Sequence, residues 1–231
     1  MELTPRLQAI AEQVPQGTRL ADVGTDHGYL TVWLLRSGRI DSAIATDLRE
    51  GPLNRSRETA QRFGVAEHIS FRLCDGLSVI RPDETDTVVV AGMGGETIIS
   101  ILKAAPWTKE GVLLLLQPMT GFVELRLWLQ GNGYQITEER IACEGERLYS
   151  ILTVRGGEMP PLSPAELWAG RQNGGPLRRE YLALMRRKAG KALRGQQAAQ
   201  VPDQSRVEEL NCVLSGLTKM EKELETNDDC R

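Results

Sequence analysis

The chain has 231 residues and a net charge of −3, which suits one well-buried α/β domain with a smaller appendage. Four scattered cysteines without a C-x-x-C pair and only two histidines exclude a structural zinc site and a disulfide framework. No apolar run reaches membrane-spanning length, so we expect a cytoplasmic protein that binds neither metal nor membrane.

Short apolar runs alternate with segments of helical periodicity over most of the chain. Strands are predicted near 19–23, 42–46, 69–73, 87–91 and 112–116, with helices near 5–14, 28–36, 51–63 and 96–104 and another ahead of Gly131. Two weaker strands, near 134–141 and 148–154, look like an antiparallel pair. This alternation predicts a doubly wound, mostly parallel sheet that ends in an antiparallel hairpin.

The strand signal disappears beyond a Gly- and Pro-rich stretch at 156–164. Two helices, about 177–199 and 201–224, carry apolar residues at approximately heptad spacing and predict an antiparallel helical hairpin or coiled coil. We therefore divide the chain into a ligand-binding domain, 1–158, and a helical domain, 159–231.

A glycine-spaced turn joins the first strand to the helix that follows it, between Asp22 and Tyr29. Gly24 and Gly28 can adopt backbone angles closed to other residues, and the free N–H groups of the next helix point toward a ligand in this turn. The dinucleotide fingerprint G-x-G-x-x-G is absent. Taken alone, the turn is compatible both with a nucleotide site and with an ordinary strand-to-helix connection.

Acidic residues stand at the carboxyl ends of three successive strands: Asp22, Asp47 and Asp75. Ligands of open α/β sheets bind at this edge, and a carboxylate about 20 residues after a glycine turn suits a ribose. Asp75 could accept a hydrogen bond from an adenine amino group. Asp22 and Asp26 would repel the pyrophosphate of a nicotinamide cofactor, whereas S-adenosylmethionine is phosphate-free and carries cationic groups, so the pattern favours S-adenosylmethionine.

The segment Gly92-Met93-Gly94-Gly95 follows the fourth strand. Enzymes that methylate exocyclic amines usually place an Asn or Asp, two prolines and an aromatic residue here, because they need acceptors for the amino protons. A ring nitrogen presents an in-plane lone pair and needs no deprotonation. The segment therefore indicates a ring-nitrogen acceptor, unless it is merely a tight turn.

These residues resemble a known family, the bacterial tRNA (adenine-N1)-methyltransferases that act on the adenine at tRNA position 22. The resemblance rests on the segments 22–30, 75–77, 91–95 and 116–118. It implies a class I S-adenosylmethionine-dependent, Rossmann-like fold and a tRNA-binding coiled coil in the tail. The chain departs from the family at Met119, where Asn is common.

The resulting site prediction has two parts. The predicted cofactor-binding residues are Asp22, Gly24, Asp26, His27, Gly28, Tyr29, Asp47, Leu48, Asp75, Gly76, Ala91, Gly92 and Met93. The predicted substrate-binding residues near the reaction centre are Met93, Gly94, Gly95, Gln117 and Pro118. Asp26 is the predicted catalytic residue, because methylation makes the adenine cationic and a nearby carboxylate stabilises that charge. Asp26 could instead simply order the glycine loop.

The tail carries an excess of one charge sign, since residues 161–200 hold eight Arg and Lys against two Glu. Its basic run consists of Arg178, Arg179, Arg186, Arg187, Lys188, Lys191 and Arg194. We predict that Arg186, Arg187 and Lys191 contact tRNA phosphates, the alternative being an ordinary solvated helix face. A monomer is favoured.

Two other functions fit the sequence less closely. A catalytically idle RNA-binding module is disfavoured by the intact Asp22, Asp47 and Asp75. A methyltransferase acting on another RNA or on a small molecule, with a tail that only dimerises it, is disfavoured by the basic excess in 178–194.

Overall fold

The computed structural model of the protein describes residues 1–171 and 174–228. Within these ranges seven strands form one sheet: β1 (Leu20–Val23), β2 (Ala43–Asp47), β3 (Ile69–Leu73), β4 (Thr87–Gly94), β5 (Leu113–Thr120), β6 (Tyr134–Glu144) and β7 (Arg147–Gly156). The α-helices are α1 (Pro5–Ala11), α2 (Tyr29–Arg36), α3 (Glu50–Arg62), α4 (Gly95–Ala104), α5 (Phe122–Gly131), α6 (Pro164–Ala169), α7 (Arg178–Gln197) and α8 (Gln204–Asp228).

The strands lie in the order β3-β2-β1-β4-β5-β7-β6. The first five are parallel, whereas β7 is antiparallel to β5 and β6 is antiparallel to β7. The strand order reverses between β1 and β4, and in open α/β sheets the carboxyl ends at such a point form the ligand crevice. The predicted Rossmann-like sheet with an antiparallel terminal hairpin is confirmed.

The central strands are buried on both faces, because helices cover both sides of a parallel sheet. Along β4 the side chains alternate: Val88 and Val90 belong to one hydrophobic core, while Val89 belongs to the core on the opposite face. This burial explains the continuous β-branched run in the sequence.

Strands β4 and β5 are longer than predicted. The predicted ends were Ala91 and Leu116, but the pair continues to Gly94 and Thr120. Two register shifts after Ala91 make this possible, so that Met93 still pairs with Pro118. Irregular pairing of this kind re-aims side chains at a sheet end.

The tail packs against the sheet. Helices α7 and α8 are antiparallel, as the ion pairs Arg186–Glu221 (3.2 Å) and Arg179–Glu225 (3.9 Å) show. Helix α6 begins at Pro164, where the Gly- and Pro-rich stretch ends, and no helix was predicted there. The buried residues of these three helices form one cluster with side chains of α5, β6 and β7. The division at 158 stays a prediction.

A buried arginine joins the sheet side to the tail. Arg126 of α5 is fully buried and pairs with Glu139 of β6 at 2.7 Å, and it also donates to the carbonyl of Leu167 at 3.1 Å. Burial lowers the pKa of Arg126, but its interactions with Glu139 and Tyr181 together outweigh that effect and the pKa is raised. The two parts of the chain therefore share a desolvated charge pair.

Candidate active site

A cavity of about 630 Å³ opens at the carboxyl ends of β1, β2, β3 and β4, and we name it the loop cavity. Its walls are Val23, Gly24, Asp26, Thr46, Asp47, Leu48, Arg49, Arg55, Cys74, Asp75, Gly76, Ala91, Gly92, Met93, Thr97 and Ile101. Nine of the predicted cofactor residues line it, which agrees with the position of the crevice at the strand reversal.

The glycine turn is tied to its neighbour strand. The backbone N–H groups of Gly24 and Thr25 both donate to the carbonyl of Thr46, at 2.8 and 3.0 Å. Gly24 has φ +72°, and the Met93 methyl group occupies the space that a Cβ on Gly24 would need. The turn and the end of β4 therefore meet face to face across the cavity floor, and glycine is required there.

Asp22 lies beneath the turn and outside the cavity wall. Its Oδ2 accepts hydrogen bonds from the hydroxyls of Thr25 at 2.9 Å and Thr31 at 2.8 Å. Burial raises the pKa of Asp22, against the lowering effect of these two donors. These contacts join β1, the turn and α2, so the structure gives Asp22 a loop-ordering position.

Asp47 and Asp75 face the cavity from neighbouring strand ends. Asp47 is largely buried, and its Oδ1 accepts the backbone N–H of Arg49 at 2.9 Å, which orients the carboxylate. Asp75 follows β3 and is exposed. Leu48 is 67% exposed at the rim, where an apolar side chain is free to cover a ligand.

Asp26 lies on the cavity wall in an unusual backbone conformation, with φ +48°. Its Oδ1 accepts a hydrogen bond from the Arg55 guanidinium at 2.8 Å, and its Oδ2 lies 3.8 Å from Nε2 of His27. Both members of the Asp26–Arg55 pair remain open to solvent, with side chains 59% and 45% exposed. The carboxylate is thus accessible but already shared with one cation.

The other turn residues of the prediction do not line the loop cavity. His27 and Tyr29 stack on each other, with ring centroids 5.3 Å apart. A Cβ on Gly28 would lie 2.3 Å from Oγ of Ser56, so this glycine permits close packing of the turn against α3.

The predicted substrate residues near the reaction centre separate into four positions. Met93 lines the loop cavity, and Pro118 lines a second cavity described below. Gln117 is fully buried, and its Oε1 accepts hydrogen bonds from the Arg6 guanidinium at 2.8 Å and from the Gly92 N–H at 3.1 Å. Gly95, one residue after Gly94, lies against Gly121 where α4 and α5 begin.

The residues of the basic run on α7 differ in burial and in their partners. Arg178 is buried and donates to the carbonyl of Gly170 at 3.0 Å, and burial lowers its pKa, so this member of the basic run does not lie on the exposed face of α7. Arg186 is paired with Glu221. Arg187 and Lys191 are exposed.

Two arginines were missed by sequence reasoning. Arg55 lines the loop cavity, and Arg6 of α1 connects Gln117 with the hairpin, since it lies 3.4 Å from Glu144 and 5.7 Å from the Tyr149 ring centroid. Neither belongs to a sequence motif, because each reaches the site from a neighbouring helix through a contact that only the tertiary structure creates.

In the described part of the chain no group of three or more His, Cys, Asp or Glu is placed to hold a metal ion. None of the helices described is long and apolar enough to cross a membrane.

A family model described as a methyltransferase domain matches residues 3–152. Over 159 residues the chain is 36% identical to the tRNA (adenine(22)-N(1))-methyltransferase of Bacillus subtilis, covering 68% of this chain and 67% of that relative. The chain belongs to the tRNA (adenine(22)-N(1))-methyltransferase family.

Structures similar to this one extend the family likeness over the tail. The Bacillus subtilis m1A22 tRNA methyltransferase TrmK has a TM-score of 0.83 at 28% identity, covering 95% of this chain and 99% of that chain. The Streptococcus pneumoniae protein Sp1610, solved in complex with S-adenosyl-L-methionine, has a TM-score of 0.79 at 33% identity, covering 92% and 100%. The family resemblance inferred from the sequence is confirmed.

Proposed function

We propose that this protein transfers the methyl group of S-adenosylmethionine to N1 of an adenine in tRNA, the adenine at position 22. The observation that carries the proposal is the loop cavity, in which Asp47 and Asp75 face the Gly92–Met93 segment, in a chain of this family. The cavity is therefore both a cofactor site and a methyl-transfer site.

The residues of the loop cavity fit S-adenosylmethionine. Asp47, held by the Arg49 N–H, would accept the ribose hydroxyls, and Asp75 would accept from the adenine amino group. Leu48 and Ile101 supply apolar surface for the adenine ring. When bound, the cofactor supplies an electrophilic methyl group on a cationic sulfur, which the exposed carboxylate of Asp26 complements.

The residues of this chain would position the acceptor adenine and stabilise the charge that develops on it. N1 of adenine attacks through its own lone pair, so no residue has to remove a proton first. The methylated ring is cationic, and Asp26 on the cavity wall would stabilise that developing charge. Arg55 would then hold the carboxylate in place between turnovers.

Binding of the tRNA body is assigned to α7. Arg187 and Lys191 are exposed and lie one helical turn apart, so they can contact successive phosphates, whereas Arg186 would first have to leave Glu221.

We also propose that the protein acts as a monomer in the cytoplasm, where its substrate is found, and that 1–158 and 159–231 are its two domains.

Incubation with labelled S-adenosylmethionine and unmodified tRNA, followed by nucleoside analysis, tests the proposal. The expected product is N1-methyladenosine, and a tRNA with guanine at position 22 should take up no label. Label in free adenosine but not in tRNA would indicate a small-molecule enzyme. Cofactor binding without label in any RNA would contradict the methyltransferase activity.

A further inference from the structure

A second cavity, of about 350 Å³, lies beside the loop cavity, and we name it the hairpin cavity. Pro118 and Met119 at the end of β5, Tyr149 of β7 and Tyr181 of α7 are among its walls. It opens on the strand next to the loop cavity, since Pro118 pairs with Met93 across β4 and β5. The two cavities are thus neighbours along one sheet edge.

One set of contacts joins the two cavities. Oε1 of Gln117 accepts from the N–H of Gly92, in the loop cavity wall, and from Arg6. The Arg6 guanidinium also lies over the ring of Tyr149, in the hairpin cavity wall. Because these contacts are already formed, a polynucleotide bound in one cavity can also contact the walls of the other.

The lining of the hairpin cavity suits a nucleotide. Phe122 and Tyr149 provide aromatic surface, and Met119 is 42% exposed, although large apolar side chains are usually buried. Aromatic rings beside cations are the usual combination for binding single-stranded nucleic acid, because bases stack while phosphates pair with the charges.

The walls of the hairpin cavity carry two cations, Lys188 of α7 and Arg147 of β7, and one carboxylate, Glu146. The Lys188 ammonium lies 5.3 Å from the Phe122 ring centroid, and among the described residues it has no hydrogen bond or ion pair. Partial burial lowers the pKa of Lys188, so an anion bound there would stabilise its charged form. Arg186, by contrast, already has Glu221 as its partner.

The rim continues along α7 as a basic stripe. One helical row leads from Leu184 in the cavity wall to Lys188 and Lys191, at spacings of i, i+4 and i+7. The adjoining row has the same spacing and consists of Arg187, Lys191 and Arg194. These positions follow the helix away from the cavity. A strand that leaves the cavity can keep its phosphates on this stripe.

We propose that the hairpin cavity holds a tRNA nucleotide next to the methylated adenine, its base against Tyr149 and Met119 and its phosphate on Lys188. The inference rests on the proposed function and adds a second nucleotide subsite to it. The target adenine then enters the loop cavity from the β5 side, and the strand continues onto the stripe of Lys191, Arg187 and Arg194.

The test compares Lys188→Ala and Lys188→Arg with Lys219→Ala, a lysine of α8 that is 80% exposed and paired with Glu223. For Lys188→Ala we expect tRNA affinity to fall about tenfold, the scale of a hydrogen bond to a charged group. The salt slope should fall by about 0.7, one single-strand phosphate. Lys188→Arg should restore binding, and Lys219→Ala should behave as wild type.

The methylation assay distinguishes the outcomes. The KM for tRNA should rise in Lys188→Ala with kcat little changed and cofactor affinity unaltered. If the wild type methylates tRNA while Lys188→Ala equals Lys219→Ala, the nucleotide subsite is wrong and the proposed function stands. If the wild type does not methylate tRNA, the proposed function itself fails.

Photo-crosslinking provides an independent readout that does not depend on folding of a variant. A tRNA with a photoreactive nucleoside beside the target adenine should crosslink to peptides within 146–150 or 181–188, which line the cavity. Crosslinks confined to other segments would overturn the proposal. Should Lys188→Ala not bind cofactor, Lys188→Met keeps an unbranched side chain of similar length without the charge and replaces it in the comparison.

Discussion

Carboxylates at the strand ends differ in role according to which way each one faces. Asp22 lies under the turn on two threonine hydroxyls, Asp47 lies in the cavity wall, and Asp26 stands open beside Arg55. Burial and hydrogen-bond partners, which the tertiary structure sets, therefore separate their roles.

At this scale, Asp47→Ala should weaken S-adenosylmethionine binding by about 1.5–3 kcal/mol, the range for a hydrogen bond to a charged group. Calorimetry measures this loss. Asp41→Ala removes an exposed carboxylate just ahead of β2 and serves as the control, with unchanged affinity. Equal affinities in the two variants would contradict the ribose assignment.

Asp26→Asn should reduce single-turnover methylation on the order of 10²-fold, the scale for one electrostatic stabiliser, while cofactor affinity stays within a few-fold. Arg55→Met is the matched control because it keeps the carboxylate but removes its 2.8 Å partner. This variant should retain most of the activity. An equal loss in both variants would mean that Asp26 only orders the loop through Arg55.

Among the secondary-structure elements, the junction of α4 and α5 determines how the ends of β4 and β5 are presented. A Cβ on Gly95 would lie 2.1 Å from the carbonyl oxygen of Gly121, so the two helix starts touch through backbone atoms. This contact holds Met93 and Met119, and with them both cavities, at a fixed separation.

Gly95→Ala should therefore destabilise the protein by about 1–3 kcal/mol, the usual cost of overpacking, and should also reduce methylation. Urea denaturation measures the first effect. Gly131→Ala places the same methyl group at the end of α5, where nothing lies within 4 Å of it, and should leave stability nearly unchanged. A stable, fully active Gly95→Ala protein would show that the junction can relax.

At the scale of the whole molecule, the tail is part of the packed structure. Its helices share a hydrophobic cluster with α5, β6 and β7, and the Arg126–Glu139 pair lies within that contact, 0% and 6% exposed. Removing one member would leave a buried charge without its partner.

Arg126→Leu should accordingly cost about 3–5 kcal/mol of unfolding free energy, and Arg126→Leu with Glu139→Leu should recover part of that loss. The control is Arg140→Ala, which removes exposed pairs with Glu138 and Glu12 and should cost about 1 kcal/mol or less. Denaturant titration of the wild type and the three variants measures these losses. A loss as small as that of the control would rule out a coupling role for the buried pair.

The amino-acid sequence by itself determined the alternation of strands and helices, the glycine turn and the carboxylates Asp47 and Asp75. These features depend on short-range periodicity and on residues whose backbone preferences are local. The α6 helix escaped prediction because its six residues are too short for a periodic signal.

The tertiary structure alone decided which charged side chains remain available to contact a ligand. Arg178 and Lys188 belong to one basic run, yet the first is buried on backbone carbonyls and the second lies at a cavity rim. Arg6 reaches the site from α1, more than 100 residues away in sequence from its partner Gln117. Burial and long-range contacts are properties of packing, and no local pattern encodes which face of a helix will meet another element.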